Sequence, residues 1–428
     1  MKHEIKEKIF FIIQFRTSGN YTQPEFFRIY FTSITMLCKS RYICLLYFSK
    51  MHSRLFFFFS LLFLQFSFNC CAQDAQPWEG FGIDANAFEG KVIKHTPKFE
   101  LPIPALTTGL DINFQYKSYG KKAWEQRRRY PVLGVGITYT NYGNDSIYGR
   151  CFSIYPNLLI PLVTWRKLEW TIRIGDGIGY VTRDYSRGPH FDTINNAIGS
   201  KINDYASFMT DLRYHLNHHW DVQVGANFSH ISDASFHQPN LGINLVGAHV
   251  GFKYFPVTST PKHIVRDLKP LKNRWLVEYR LSLAYNESNA PQGPLYPIYV
   301  ATAFVSKRWI SKNKFFAGFD YSYNSNVYAY LRNNLGFVTP GTEAQHSYKT
   351  AFLAGNEFLL GRVGVVLQVG YYLHQALQVE GLYYEKIGGN LYLVQKEKGP
   401  VKEFFLCAFL KTHLFVAEFA DFGFGMGF

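Results

Sequence analysis

The sequence predicts an all-β protein, a transmembrane antiparallel β-barrel of about 14 strands, and three observations carry that prediction. Aromatic residues are abundant, with 40 Phe, 30 Tyr and 7 Trp making 18% of the 428 residues, while charged residues also reach only 18%. From residue 79 onward apolar and polar positions alternate with a period of two, the spacing of a strand rather than a helix. No run attains the 18 to 20 apolar residues, roughly, of a membrane-spanning helix. Low charge and abundant apolar residues exclude a disordered chain. An eight-stranded barrel followed by a second β-domain is the alternative arrangement.

The first segment reads as processing signals. Met51-His-Ser-Arg54 precedes Leu55 to Phe68, an apolar stretch interrupted only by Ser60, Gln65 and Ser67. Cys70-Cys71-Ala72 then offers a small-residue cleavage site before Gln73. Residues 51–72 are therefore predicted to be a signal peptide. A signal peptide should begin a chain, and residues 1–50 show no fold period, so they read as a spurious N-terminal extension. Of six cysteines, only Cys151 and Cys407 follow the predicted cut. They lack metal-ligand spacing and are expected to be two isolated, packed thiols.

The mature chain then reads as strands. Leu133, Val135, Ile137 and Tyr139 alternate with Gly134, Gly136 and Thr138. Asp221, Gln223, Gly225, Asn227 and Ser229 alternate with Val222, Val224, Ala226 and Phe228. Val246, Ala248, Val250, Phe252 and Tyr254 oppose Gly247, His249, Gly251 and Lys253. Such runs place an apolar face toward lipid and a polar face in the lumen. The proline-bounded stretch 257–271 divides this half, 73–256, from a second strand-rich half, 272–428. There Trp275, Val277, Tyr279, Leu281, Leu283 and Tyr285 alternate with Glu278, Arg280, Ser282 and Ala284, and Val363 to Leu373 repeats the pattern. We count about eight strands before the divider and six after it. Longer loops are expected at 183–202, 286–296 and 325–346. The chain ends on Phe422, Phe424, Met426 and Phe428 alternating with Asp421 and three glycines. A terminal aromatic strand resembles the signal read by the barrel-assembly machinery, which makes that machinery and outer-membrane lipid expected partners.

The formal charge of +14 is partly an effect of residues 1–50, which hold eight Lys/Arg against Glu4, Glu7 and Glu25. The remainder favours anionic partners such as lipid phosphates. No basic helix, zinc-finger spacing or aromatic RNA-binding strand points to nucleic acid. His215, His218 and His219 fit a solvated turn better than a metal site. Lys121, Lys122 and Arg127 to Arg129 read as a basic loop, with contact to anionic headgroups as the alternative.

One strand carries polar residues where lipid should be. His230 and Ser232 continue the apolar phase of Val222 to Phe228, and Asn244 begins the outward phase of the next strand. All three should emerge outside the barrel at one rim. Polar groups on a lipid face are costly unless they pair or work; the plain alternative is solvation at the interface. A His and a Ser two apart on a strand point the same way, as proton transfer between them requires.

His230-Ile-Ser232-Asp-Ala234 followed by Pro239-Asn240-Leu-Gly242-Ile-Asn244 resembles the signature of the lipid A 3-O-deacylase family, the PagL-type acyloxyacyl hydrolases. Pro131 to Gly136, Arg173 to Tyr180 and Asn195 to Ser200 are similar to stretches of its long members, common in Bacteroidetes-like bacteria. The resemblance implies an outer-membrane serine esterase that acts on lipid A of lipopolysaccharide without metal or cofactor. It implies Ser232 as nucleophile, His230 as base, Asn240 as oxyanion donor and Asn244 as the residue that orients the ring. Asp233 replaces the motif's Asn, and Asn244 replaces the family's acid. An Asn stabilises imidazolium less than a carboxylate does. His237, in the turn beside the site, is a candidate substrate contact. The alternatives are a non-catalytic barrel with a degenerate site and a porin-like channel.

Overall fold

Alternation of period two becomes sixteen antiparallel strands, which a computed structural model closes into two barrels of eight. The structure describes residues 78–428 apart from 189–190, 258–261, 269–273, 289, 311, 335, 376–380 and 415. The predicted extension and signal peptide lie outside the described residues.

The first barrel contains β1 (Phe81–Ile93), β2 (Thr107–Lys117), β3 (Val132–Asn141), β4 (Arg150–Trp165), β5 (Leu168–Val181), β6 (Ile202–His215), β7 (Trp220–Ser232) and β8 (Ile243–Tyr254). It closes through β1 against β8, with Ala87 opposite Val250. A short helix, α1 (Ala123–Arg127), lies between β2 and β3. The second barrel contains β9 (Trp275–Glu287), β10 (Leu295–Ile310), β11 (Asn313–Asn324), β12 (Tyr348–Leu360), β13 (Val363–Gln375), β14 (Tyr383–Gln395), β15 (Glu403–His413) and β16 (Val416–Gly427). It closes through β16 against β9, with Phe424 opposite Leu281. Helix α2 (Ser325–Asn333) stands in the loop expected at 325–346, its N-terminus capped by Asn324 Oδ1.

The antiparallel barrel is as expected, but one closure of about 14 strands is replaced by two closures, the alternative arrangement with its second domain also a barrel. Two strands were missed because tight turns conceal strand ends. Only residues 311–312 separate β10 from β11, and only 414–415 separate β15 from β16, so the alternation runs through with little interruption.

Side chains follow the predicted faces. Val224, Phe228, Val246, Val250 and Phe252 are exposed on the outer wall, while Gln223, Asn227 and His249 are buried within. Trp165, Trp170, Trp220 and Trp275 stand exposed near one rim, and Phe152, Tyr180, Tyr285, Tyr299 and Tyr371 toward the other. Two aromatic girdles of this kind mark the two membrane interfaces of such barrels. The tryptophan rim carries short turns such as 166–167, 216–219 and 361–362; the other carries the long loops 94–106, 182–201 and 325–347.

Eight strands leave a lumen just wide enough for side chains to fill. In the first barrel Arg173 Nη1 binds Asp84 at 3.1 Å while Nη2 donates to Asp111. Arg213 binds Glu169 at 3.1 Å, and His249 Nε2 lies 2.7 Å from Asp211. Gly136 recurs on this face because a Cβ there would fall 2.3 Å from the Tyr155 ring. In the second barrel Lys314 lies 3.0 Å from Glu278, 3.2 Å from Glu357 and 2.9 Å from Glu403. Both lumens are rich in charge, and buried ion pairs such as these cross them rather than line an open channel. Cys151 and Cys407 are free and buried, one in each barrel.

Among the described residues the barrels touch at both rims. At the tryptophan rim the basic segment after α1 meets the second barrel. Arg128 donates to Leu359 O at 3.0 Å, to Lys312 O and to Asn313 Oδ1 at 3.2 Å. At the long-loop rim the loop after β7 meets the end of β9, and the Arg187 N–H donates to Gln292 Oε1 at 3.3 Å. His215 and His219 bind Asp221 Oδ1 and Phe255 O at the tryptophan rim, and no metal-binding cluster occurs among the described residues.

Candidate active site

The site grows from the last residues of β7 and the first of β8. His230 and Asn244 are direct cross-strand partners, and Ser232 follows His230 by one full period on the same face. His230 Nδ1 lies 2.5 Å from Asn244 Oδ1, and Nε2 lies 3.0 Å from Ser232 Oγ. Because Oδ1 can only accept, Nδ1 carries the ring proton, which leaves Nε2 bare to accept from the Ser232 hydroxyl. One ring thus bridges the hydroxyl and the amide in the protonation state a general base needs.

Ser232 is only 6% exposed although its phase is outward. Burial restricts water around the hydroxyl, the environment in which fixed dipoles act most strongly on developing charge. Gly242 makes the ring position possible. Its φ is +74°, and a Cβ there would lie 2.6 Å from His230 Cε1. Its own N–H donates to Ala197 O at 2.9 Å, so the loop before β6 and the turn before β8 share a bond beside the imidazole. His95 Nε2 donates to Leu241 O at 2.8 Å, bringing the 94–106 loop to the same rim. Beneath these loops Phe99, Tyr148, Ile198, Ile231 and Ile243 form a buried apolar cluster that supports the rim.

Asn240 accepts the Asp233 N–H through Oδ1 at 3.1 Å. The carboxamide therefore ties the 233–240 loop across its neck with one end and retains its Nδ2 donors for another acceptor. Asp233 is buried, and its Oδ2 accepts the His237 N–H at 3.0 Å. Burial pushes its carboxyl up to about 7, against the pull of the His237 and Phe236 N–H groups and the Ser200 hydroxyl, and nearby Glu287 adds to the rise. His237 faces Glu287, with Nδ1 3.7 Å from Oε1.

Three residues beside the site were not singled out from the sequence. Asp204 lies directly across from Ser232 on β6, half-buried and in the outward phase. Gly242 was read only as part of a motif, although glycine before a strand was the available signal for a positive φ. Glu287 comes from the other barrel, and no local pattern connects it with the site.

A family model described as lipid A 3-O-deacylase (PagL) matches residues 108–253. A second, described as acyloxyacyl hydrolase, C-terminal domain, matches residues 275–428. Among solved structures, Neisserial surface protein A is similar at 14% identity over 41% of this chain and 97% of its own, with a TM-score of 0.29. The outer membrane enzyme PagL is similar at 19% identity over 41% of this chain and 99% of its own, with a TM-score of 0.26. No curated protein matches the chain.

Proposed function

Because the chain belongs to the lipid A 3-O-deacylase (PagL) family, matched in turn across both of its barrels, we propose that it is a serine esterase of the outer membrane. Its substrate is lipid A of lipopolysaccharide, and its reaction removes one ester-linked acyl chain. The observation that carries this reading is the single imidazole held between Asn244 and Ser232 on the outer wall of the barrel.

The chemistry follows from the positions. Ser232 Oγ attacks the ester carbonyl as its proton passes to His230 Nε2, and the Nδ1–H bond to Asn244 steadies the ring while it is charged. Nδ2 of Asn240 supplies a donor to the oxyanion. Collapse of the tetrahedral intermediate expels the sugar oxygen, which takes the proton from Nε2 and leaves the acyl group on Ser232. A water deprotonated by the same nitrogen then releases the fatty acid and restores the hydroxyl. An outward-facing site suits a substrate that diffuses in the bilayer and never enters the lumen. The filled lumens of both barrels speak against the porin-like reading.

A second reading has one observation in its favour. Asn244 is neutral where the family pattern has an acid, so the imidazolium formed during attack lacks a counter-charge at this position. A barrel retained for binding alone would share the geometry without turnover. Mass spectrometry of lipid A from cells carrying wild-type chain or Ser232→Ala separates the two: loss of one acyl chain with the wild type alone supports the esterase.

A further inference from the structure

Glu287 breaks the pattern of its own strand. Along β9 the outward positions Trp275, Val277, Tyr279, Leu281, Leu283 and Tyr285 are all exposed, and Glu287 continues their phase yet is only 3% exposed. Its register against Leu295 is regular, with no bulge to turn it inward. A carboxylate on the outer wall of a membrane barrel is costly unless partnered. Its partners belong to the other barrel, in the loop beside Ser232. Oε2 accepts the Gln238 N–H at 2.5 Å, Oε1 lies 3.7 Å from His237 Nδ1, and the Glu287 N–H donates to Phe236 O at 3.0 Å.

Two further contacts hold the same loop. Ser235 Oγ donates to Ala417 O at 2.9 Å, and the Phe236 ring meets Tyr285 edge-on at 6.3 Å. Four successive residues, 235 to 238, are thus tied to the second barrel. They form the middle of a loop that starts next to Ser232 and is closed on itself, since Asp233 Oδ2 accepts the His237 N–H and the Asp233 N–H donates to Asn240 Oδ1. Ala234 and Ser235 hold φ of 57° and 64°, a left-handed conformation that costs non-glycine residues energy and persists where surrounding contacts enforce it.

We propose that the second barrel is a working part of the esterase site, with Glu287 the positioning residue that holds loop 233–240, and with it Asn240, in place beside Ser232. This inference rests on the esterase reading above. It gives the second barrel a role that one eight-stranded barrel could fill only with a loop stable by itself. A donor that must meet an oxyanion is sensitive to displacements of about 1 Å, which cost on the order of a hundredfold in rate.

The test compares the full-length protein with Glu287→Ala, Glu287→Gln, Ser235→Ala, Arg128→Ala and Ser232→Ala. Turnover of purified lipid A in detergent micelles gives kcat and KM, and hydrogen exchange gives the protection of residues 235–240. Glu287→Ala should lower kcat by about ten- to a hundredfold with KM little changed, and should speed exchange in that segment. Glu287→Gln keeps an oxygen for the Gln238 N–H and should recover most of both. Arg128→Ala, which cuts the tie at the opposite rim, should alter neither. Wild-type kcat and protection in Glu287→Ala would overturn the proposal. Should Glu287→Ala fail to give a folded barrel, Ser235→Ala, which removes one tie, decides by the same two readouts. Undiminished turnover in Ser232→Ala, or an inert wild type, refutes the esterase reading. Exchange then still decides whether Glu287 holds the loop: accelerated exchange in Glu287→Ala supports the tie, and unchanged exchange overturns it.

Discussion

Replacing Asp233 by Asn should make the protein markedly less sensitive to alkaline pH. The residue lies next to Ser232 in the loop beyond β7, and burial raises its carboxyl from an ordinary 3.8 to about 7. Folding therefore favours the protonated form. Its contribution to stability is complete below about pH 4 and is lost as pH rises through about 7. The difference between 3.8 and about 7 sets a ceiling of about 4 kcal/mol, of which about 2 to 3 kcal/mol falls between pH 5 and pH 8. Asparagine is neutral throughout and keeps an oxygen for the His237 N–H that Oδ2 now accepts at 3.0 Å. Glu287, His237 and Ser200 face Asp233 and are left in place by the substitution. The assay is the thermal midpoint of the heat-modifiable gel shift in detergent, measured for both proteins from pH 5 to pH 8. The midpoint of the wild type should fall relative to that of Asp233→Asn across this range. Parallel midpoints from pH 5 to pH 8 would refute the buried, raised carboxyl.

Further expectations concern the ring, its supports and the lumen. Asn244→Ala should lower kcat by at least tenfold, whereas the isosteric Asn244→Asp should raise it by about fivefold, because a bond to a charged partner exceeds a neutral one by about 1 kcal/mol; lipid A turnover measures both. Gly242→Ala should abolish turnover while the barrel still shifts on heating, since the added methyl meets His230 Cε1 at 2.6 Å. Arg173→Met leaves Asp84 and Asp111 without their shared cation and should cost about 3 to 5 kcal/mol, seen as a lower unfolding midpoint. Reconstituted in planar bilayers, the wild type should show no porin-scale conductance, because paired charges fill each lumen.

The parts of this architecture that were legible in the sequence are those set by local repetition. Period-two alternation assigns each residue of β7 and β8 to lumen or lipid without any knowledge of partners, and it projected His230, Ser232 and Asn244 onto one rim. The cross-strand meeting of His230 and Asn244 could be anticipated because the connection between their strands is short. Closure is a different kind of property. Whether β8 returns to β1 or continues into β9 depends on shear summed around the whole sheet, and no local window contains it. Lumen pairing is equally remote, with Arg173 lying 89 residues from Asp84 and 62 from Asp111. Glu287 looked like the end of an outward strand face, and its partner Gln238 is 49 residues away in the other barrel. Asp204 was hidden for the same reason, as only the β6–β7 register places it opposite Ser232.

The proposed esterase depends on one imidazole, that of His230, shared between Ser232 and Asn244. Mass spectrometry of lipid A should compare cells producing the wild-type chain with cells producing Ser232→Ala at equal levels in the outer membrane. Lipid A lighter by one acyl chain, with the matching free fatty acid, is expected in the wild type alone. Identical lipid A in the two strains, whether both deacylated or both intact, would contradict it.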